Sequence, residues 1–181
     1  MIKIPIEQIE IPLKIKLRRN WTSFGSDTAS CTGWAKSWTD DEYFYCEYGV
    51  VDAKSNNTIQ RYIILWDFFQ QILPNELNRL VIEAPFLKYF RKGKMKCPQV
   101  TVFKVLARIS MIPLMVGLTK GYKKSAVIEI TPTKSRATLN LNSRDTKEKI
   151  QIQFMLKTGI EITQNDAMDA VILSVNGLIQ P

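Results

Sequence analysis

Three strand-length runs follow one another with no helix between them: Trp21–Ser26, Gly33–Trp38 and Tyr43–Val51. The last two are separated only by Thr39-Asp40-Asp41-Glu42, a polar turn sequence. Connections this short leave no room for a crossover, so the runs predict an antiparallel meander. After Val51 the pattern changes. Gln60–Leu73 has helical spacing and stops at Pro74, and Leu80–Glu83 reads as a short buried strand. A second helix is predicted over Gln99–Met111, ending before Pro113, and a further strand over Ala126–Ile130. Thr146–Lys157 is amphipathic, with Gly159 just past its end, and a last helix runs from near Asn165 to about Gly177. Strands joined through helices add in parallel. The order β-β-β-α-β-α-β-α-α therefore predicts an α/β layered domain with a central five-stranded mixed sheet flanked by helices.

Ahead of these elements, Ile2, Ile4 and Ile6, then Ile9, Ile11, Leu13, Ile15 and Leu17, alternate with polar or proline positions. This alternation predicts an extended segment, either an edge strand or an arm. The expected division is an N-terminal arm over 1–19 and a single domain over 20–181. With 45% hydrophobic residues the chain can build a core, and it has no apolar run long enough for a membrane span. No signal-peptide h-region begins it, so an intracellular protein is expected.

Composition narrows the chemistry. The chain contains no histidine, which excludes Ser-His-Asp and Cys-His catalysis and His-ligated zinc. Cys31, Cys46 and Cys97 form no C-x-x-C pair, so a zinc ribbon is not expected. No G-x-x-x-x-G-K-S/T loop or G-x-G-x-x-G turn occurs, and a small-molecule nucleotide ligand has no support. The net charge is +8, with lysines and arginines clustered at Lys14–Arg19, Lys88–Lys96, Lys120–Lys124 and Arg136–Lys149. A basic excess of this kind fits a polyanionic partner.

Against that background four acids stand out. Asp27 and Glu83 end predicted strands, where functional groups of open α/β sheets gather. Asp166 and Asp169 lie three apart at the start of the last helix, and so share one face. If these elements pack side by side, the carboxylates cannot all stay ionised without a cation. Mg²⁺ takes oxygen ligands, and a pair of such ions suits in-line attack on a phosphodiester without any histidine.

The residues around these acids resemble a known family. Phe24-Gly-Ser-Asp27-Thr-Ala-Ser-Cys-Thr-Gly33-Trp34-Ala35 is similar to the first motif of RuvC-type Holliday junction resolvases, members of the RNase H-like superfamily. Val81-Ile-Glu83-Ala-Pro-Phe86 resembles their second motif, and Asp166-Ala-Met-Asp169-Ala their terminal D-A-x-D-A motif. The likeness runs from about residue 20 to residue 177. It implies an RNase H-like fold and a homodimer that makes paired, symmetric nicks in four-way DNA junctions. It also implies two Mg²⁺ ions per site, with Mn²⁺ able to substitute, held by Asp27, Glu83, Asp166 and Asp169. Arg136 and Lys147 would hold the scissile phosphate or stabilise its developing charge.

Phe86 stands where the family places a base-stacking aromatic. Lys88, Tyr89, Arg91, Lys92 and Lys134 are further candidates for DNA contact. The chain departs from the family pattern at Thr28-Ala29, where Pro-Gly is common, and at Asn140–Asp145, where a glycine-rich stretch is usual. Two alternatives share the same residues: another RNase H-like nuclease acting on RNA–DNA hybrids or flaps, and a non-catalytic branched-DNA-binding protein.

Overall fold

A computed structural model describes the backbone of residues 1–29, 31–85, 89–92, 95–98 and 100–180, with side chains for all of these except 89–92, 95–98, 101 and 102. The predicted meander is present as β2 (Trp21–Asp27), β3 (Cys31–Thr39) and β4 (Tyr43–Asp52), paired antiparallel. On the other side of β2, β5 (Arg79–Glu83) and then β8 (Val127–Ile130) add in parallel. The first strand, β1 (Ile2–Pro5), pairs antiparallel with β4. The sheet is therefore six-stranded, in the order β1-β4-β3-β2-β5-β8, rather than five-stranded. A separate hairpin, β6 (Tyr89–Lys92) and β7 (Met95–Pro98), follows β5.

The remainder of the N-terminal segment is not extended: Glu7–Leu13 is a helix, α1. Two periods coexist in this sequence. Ile6, Ile9 and Leu13 also lie at helical spacing, and these three are 1%, 0% and 0% exposed, whereas Ile11 is left 71% exposed. They join Leu17, Ile150, Phe154 and Val171 in one core cluster, so tertiary burial selects the helical period over the alternating one. Pro12 lies near the end of α1, which stops at Lys14 in a left-handed conformation.

Four further helices match or extend the predictions, and one was not foreseen. Helix α2 (Thr58–Ile72) is capped by Asn57, whose Oδ1 accepts from the N–H groups of Ile59 and Gln60. Helix α3 (Val100–Thr119) runs through Pro113 instead of stopping before it. An internal proline costs roughly 3 kcal/mol. Ile109, Ile112 and Val116, on either side of it, are all buried against β5 and α2. Each buried side chain of this size contributes roughly 1.5–3 kcal/mol, enough together to outweigh the proline. The unforeseen helix is α4 (Pro132–Thr138), with Thr131 as N-cap and Pro132 at its start. Helices α5 (Lys147–Thr158) and α6 (Asn165–Leu178) lie close to their predicted bounds.

Helix α6 crosses the sheet at its glycines. A Cβ on Gly25 would lie 2.3 Å from the Ala170 carbonyl oxygen, and one on Gly33 only 1.8 Å from that of Asp166. Bare backbone at these two positions lets α6 rest directly on β2 and β3. That contact brings the acids of the helix to the end of the strands. No helix of the described residues is long and apolar enough to cross a membrane.

Candidate active site

Asp27 and Glu83 are the last residues of β2 and β5. These strands run parallel with Ser26 opposite Ile82, so the two acids emerge side by side. Asp27 pairs across to Gly33, the residue on which the first turn of α6 sits. Asp169 thereby reaches the same point: carboxylate oxygens of Asp27, Glu83 and Asp169 lie within 4.8 Å of one another. Asp166, half-buried one turn earlier, is joined to the group through Lys147.

Two cations enter the cluster. Lys147, the first residue of α5, places Nζ 2.7 Å from Asp169 Oδ2, 3.3 Å from Asp166 Oδ1 and 3.5 Å from Asp27 Oδ2. Arg136, in the last turn of α4, donates from Nη2 to Asp169 Oδ1 at 3.0 Å. Both carboxylate oxygens of Asp169 are thus engaged. The Arg136 Nε is buried without a hydrogen-bond partner among the described residues, an uncommon and costly state. Together with Asp145, Ser110 and Pro85, these groups line a cavity of about 460 Å³.

Burial and crowding shift the acids. Asp27 is raised from 3.8 to about 6: burial is the largest cause, Lys147 opposes it, and Asp169 and Asp166 add to it. Glu83 is raised from 4.5 to about 8, by burial first and then by the charges of Asp27 and Asp169. Lys147 is raised because the carboxylates of Asp27 and Asp169 outweigh the burial that disfavours its charge. A buried and a half-buried acid held above their ordinary range, with oxygens converging, form a donor set suited to a hard divalent cation. Asp27, Glu83 and Asp169 can hold such an ion.

The structure therefore gathers Asp27, Glu83, Asp166, Asp169, Arg136 and Lys147 in one place. Lys134 does not join them and lies exposed on α4. Phe86 and Lys88 fall outside the described residues, as do the side chains of Tyr89, Arg91 and Lys92. Two lining residues carry no clear sequence signal. Asp145 sits in the loop before α5, where its Oδ2 accepts from Gln153 Nε2 at 2.6 Å. Ser110 comes from the middle of α3, a helix whose apolar spacing reads as core.

No family model matches the sequence, and no curated protein matches it. Solved structures do. The Thermus thermophilus RuvC structure aligns with a TM-score of 0.61 over 88% of this chain and 99% of that chain, at 15% identity. Thermus thermophilus RuvC in complex with a Holliday junction substrate aligns with a TM-score of 0.61 over 86% of this chain and 90% of that one, at 12% identity. At these identities the likeness concerns the backbone, and it shows that the chain has a RuvC-like, RNase H-type fold.

Proposed function

We propose that this protein is a metal-dependent endonuclease that resolves four-way DNA junctions as a homodimer. The convergence of Asp27, Glu83 and Asp169 at the carboxyl end of two parallel strands, with Asp166 beside them, carries the reading. Divalent ions held by these acids, Mg²⁺ or Mn²⁺, would supply an activated water and neutralise charge at the scissile phosphate. The chain's own groups do the rest. Arg136 presents a fixed guanidinium at the cavity wall, suited to a phosphate oxygen. Lys147 can place its ammonium against the developing charge. Burial of Asp27 and Asp169 keeps bulk water from weakening these interactions.

Branched DNA as the substrate rests on the fold shared with a RuvC bound to a Holliday junction substrate, and on the +8 net charge. The homodimer finds support in an apolar face on α2 and α3, where Ile59, Ile63 and Met115 are 67%, 48% and 48% exposed. Asp67 and Arg108 line a groove with Ile59 and Ile63, so this face offers charges of both signs to a second copy of the chain. Cleavage mapping on an immobile four-way junction, a linear duplex and an RNA–DNA hybrid with Mg²⁺ tests the proposal. Paired, symmetry-related nicks confined to the junction are expected, and cutting of the hybrid alone would overturn it.

A further inference from the structure

Lys147 stands on ground that a second cation would claim. Its Nζ bridges Asp27, Asp166 and Asp169, while among the described residues no ion pair reaches Glu83. The two cations of the site differ in freedom. Arg136 has a side chain only 11% exposed and, among the described residues, is tied to Asp169 alone, whereas the Lys147 side chain is 41% exposed and enters from the first residue of α5. A lysine carries its charge on a flexible four-carbon stem and can swing away, whereas a buried guanidinium is a fixed fork.

Building on the metallonuclease reading, we propose that Lys147 is a resident counter-ion that fills one of the two cation positions in the free protein and vacates it when DNA binds. Glu83, without an ion pair among the described residues, converges with Asp27, whose contact with Lys147 at 3.5 Å is the longest of the three, so the free protein takes up one divalent ion beside these two acids. A second ion must displace the ammonium from Asp166 and Asp169, and Asp145, the other acid lining the cavity among the described residues, already accepts from Gln153 and competes only weakly for that charge. The scissile phosphate does accept it. DNA thus draws Lys147 off the carboxylates and opens the second position. The full metal complement assembles only on substrate, which protects other phosphodiesters from an armed site.

Mn²⁺ titration of the full-length protein, by calorimetry and by electron paramagnetic resonance, tests this with and without a four-way junction carrying cleavage-resistant linkages. Wild type binds one Mn²⁺ per chain alone and two with the junction. Lys147→Met binds two without DNA. Lys147→Arg keeps the charge and the fold, and its guanidinium grips carboxylates in bidentate fashion, so it holds one ion in both conditions. Two ions in the free wild type, one ion in free Lys147→Met, or two in junction-bound Lys147→Arg would each overturn the proposal while leaving the nuclease reading intact. No Mn²⁺ bound to wild type under either condition would contradict the nuclease reading itself.

Discussion

Arg136 and Asp169 form a buried ion pair, Nη2 to Oδ1 at 3.0 Å, with side chains 11% and 8% exposed. It joins α4 to α6 and fixes the carboxylate that both cations of the site share. Breaking a buried pair from one side leaves an uncompensated charge and costs about 3–5 kcal/mol. Lys147 remains on the other oxygen of Asp169, so Arg136→Met is expected near the lower end, about 3 kcal/mol, in urea unfolding of the metal-free protein. A loss below about 0.5 kcal/mol, the range of ordinary surface substitutions, would show that the pair does not hold the helices together.

The raised acids give the metal-free protein an unusual pH profile. A carboxyl whose folded-state pKa lies above its unfolded value favours the fold while protonated. Its contribution is complete below the unfolded pKa and is lost as pH rises through the folded one. For Asp27 the window runs from 3.8 to about 6, and for Glu83 from 4.5 to about 8. The Tm in EDTA should therefore fall between pH 4 and pH 8, and Mg²⁺ should recover it most at the upper end. Glu83→Gln should flatten the decline above pH 6. A Tm in EDTA that rises across this window would contradict the assigned environment.

Gly33 sets the distance between strand and helix. A Cβ there would lie 1.8 Å from the Asp166 carbonyl oxygen, so the first turn of α6 must move. Overpacking of this kind costs roughly 1–3 kcal/mol. Gly33→Ala should lower the Tm and also weaken Mn²⁺ binding by more than tenfold, because Asp166 and Asp169 shift together. Unchanged Mn²⁺ affinity would show that α6 adjusts without disturbing the acids.

Much of this architecture is legible in the sequence for a physical reason. The meander is local, with short turns, and the four acids sit at element ends marked by apolar runs or, for Asp166 and Asp169, by the start of an amphipathic helix. The misreadings are equally physical. Residues 6–17 satisfy two periods at once, and only contact with Ile150 and Phe154 decides between them. At Pro113 the local penalty is visible in the sequence, whereas the burial of Ile109, Ile112 and Val116 that overrides it is not. Thr131-Pro132 is a helix-start signal, yet the helix it begins spans only Pro132–Thr138, too short to show periodicity. In the sequence Arg136 and Lys147 stand out through the family resemblance, and the contacts that unite them on Asp169 belong to the tertiary structure.

The N-terminal helix can be probed separately through its buried and exposed faces. Leu13 is fully buried in the core cluster, so Leu13→Ala should cost about 2–5 kcal/mol in urea unfolding. Ile11→Ala, on the exposed face of α1, should change stability by less than about 0.5 kcal/mol. Equal, small effects at both positions would describe a detachable arm instead.

Asp27→Asn offers the most direct test of the site. It keeps the shape of the side chain and removes the charge at the centre of the cluster. Wild type and variant are compared on an immobile four-way junction with Mg²⁺, reading binding by gel shift and cleavage by strand mapping. Wild type should make paired, symmetry-related nicks, while Asp27→Asn should bind the junction with affinity within a few-fold and cut at least a thousandfold more slowly. Metal-dependent symmetric nicking that persists in Asp27→Asn would contradict the assignment of this site.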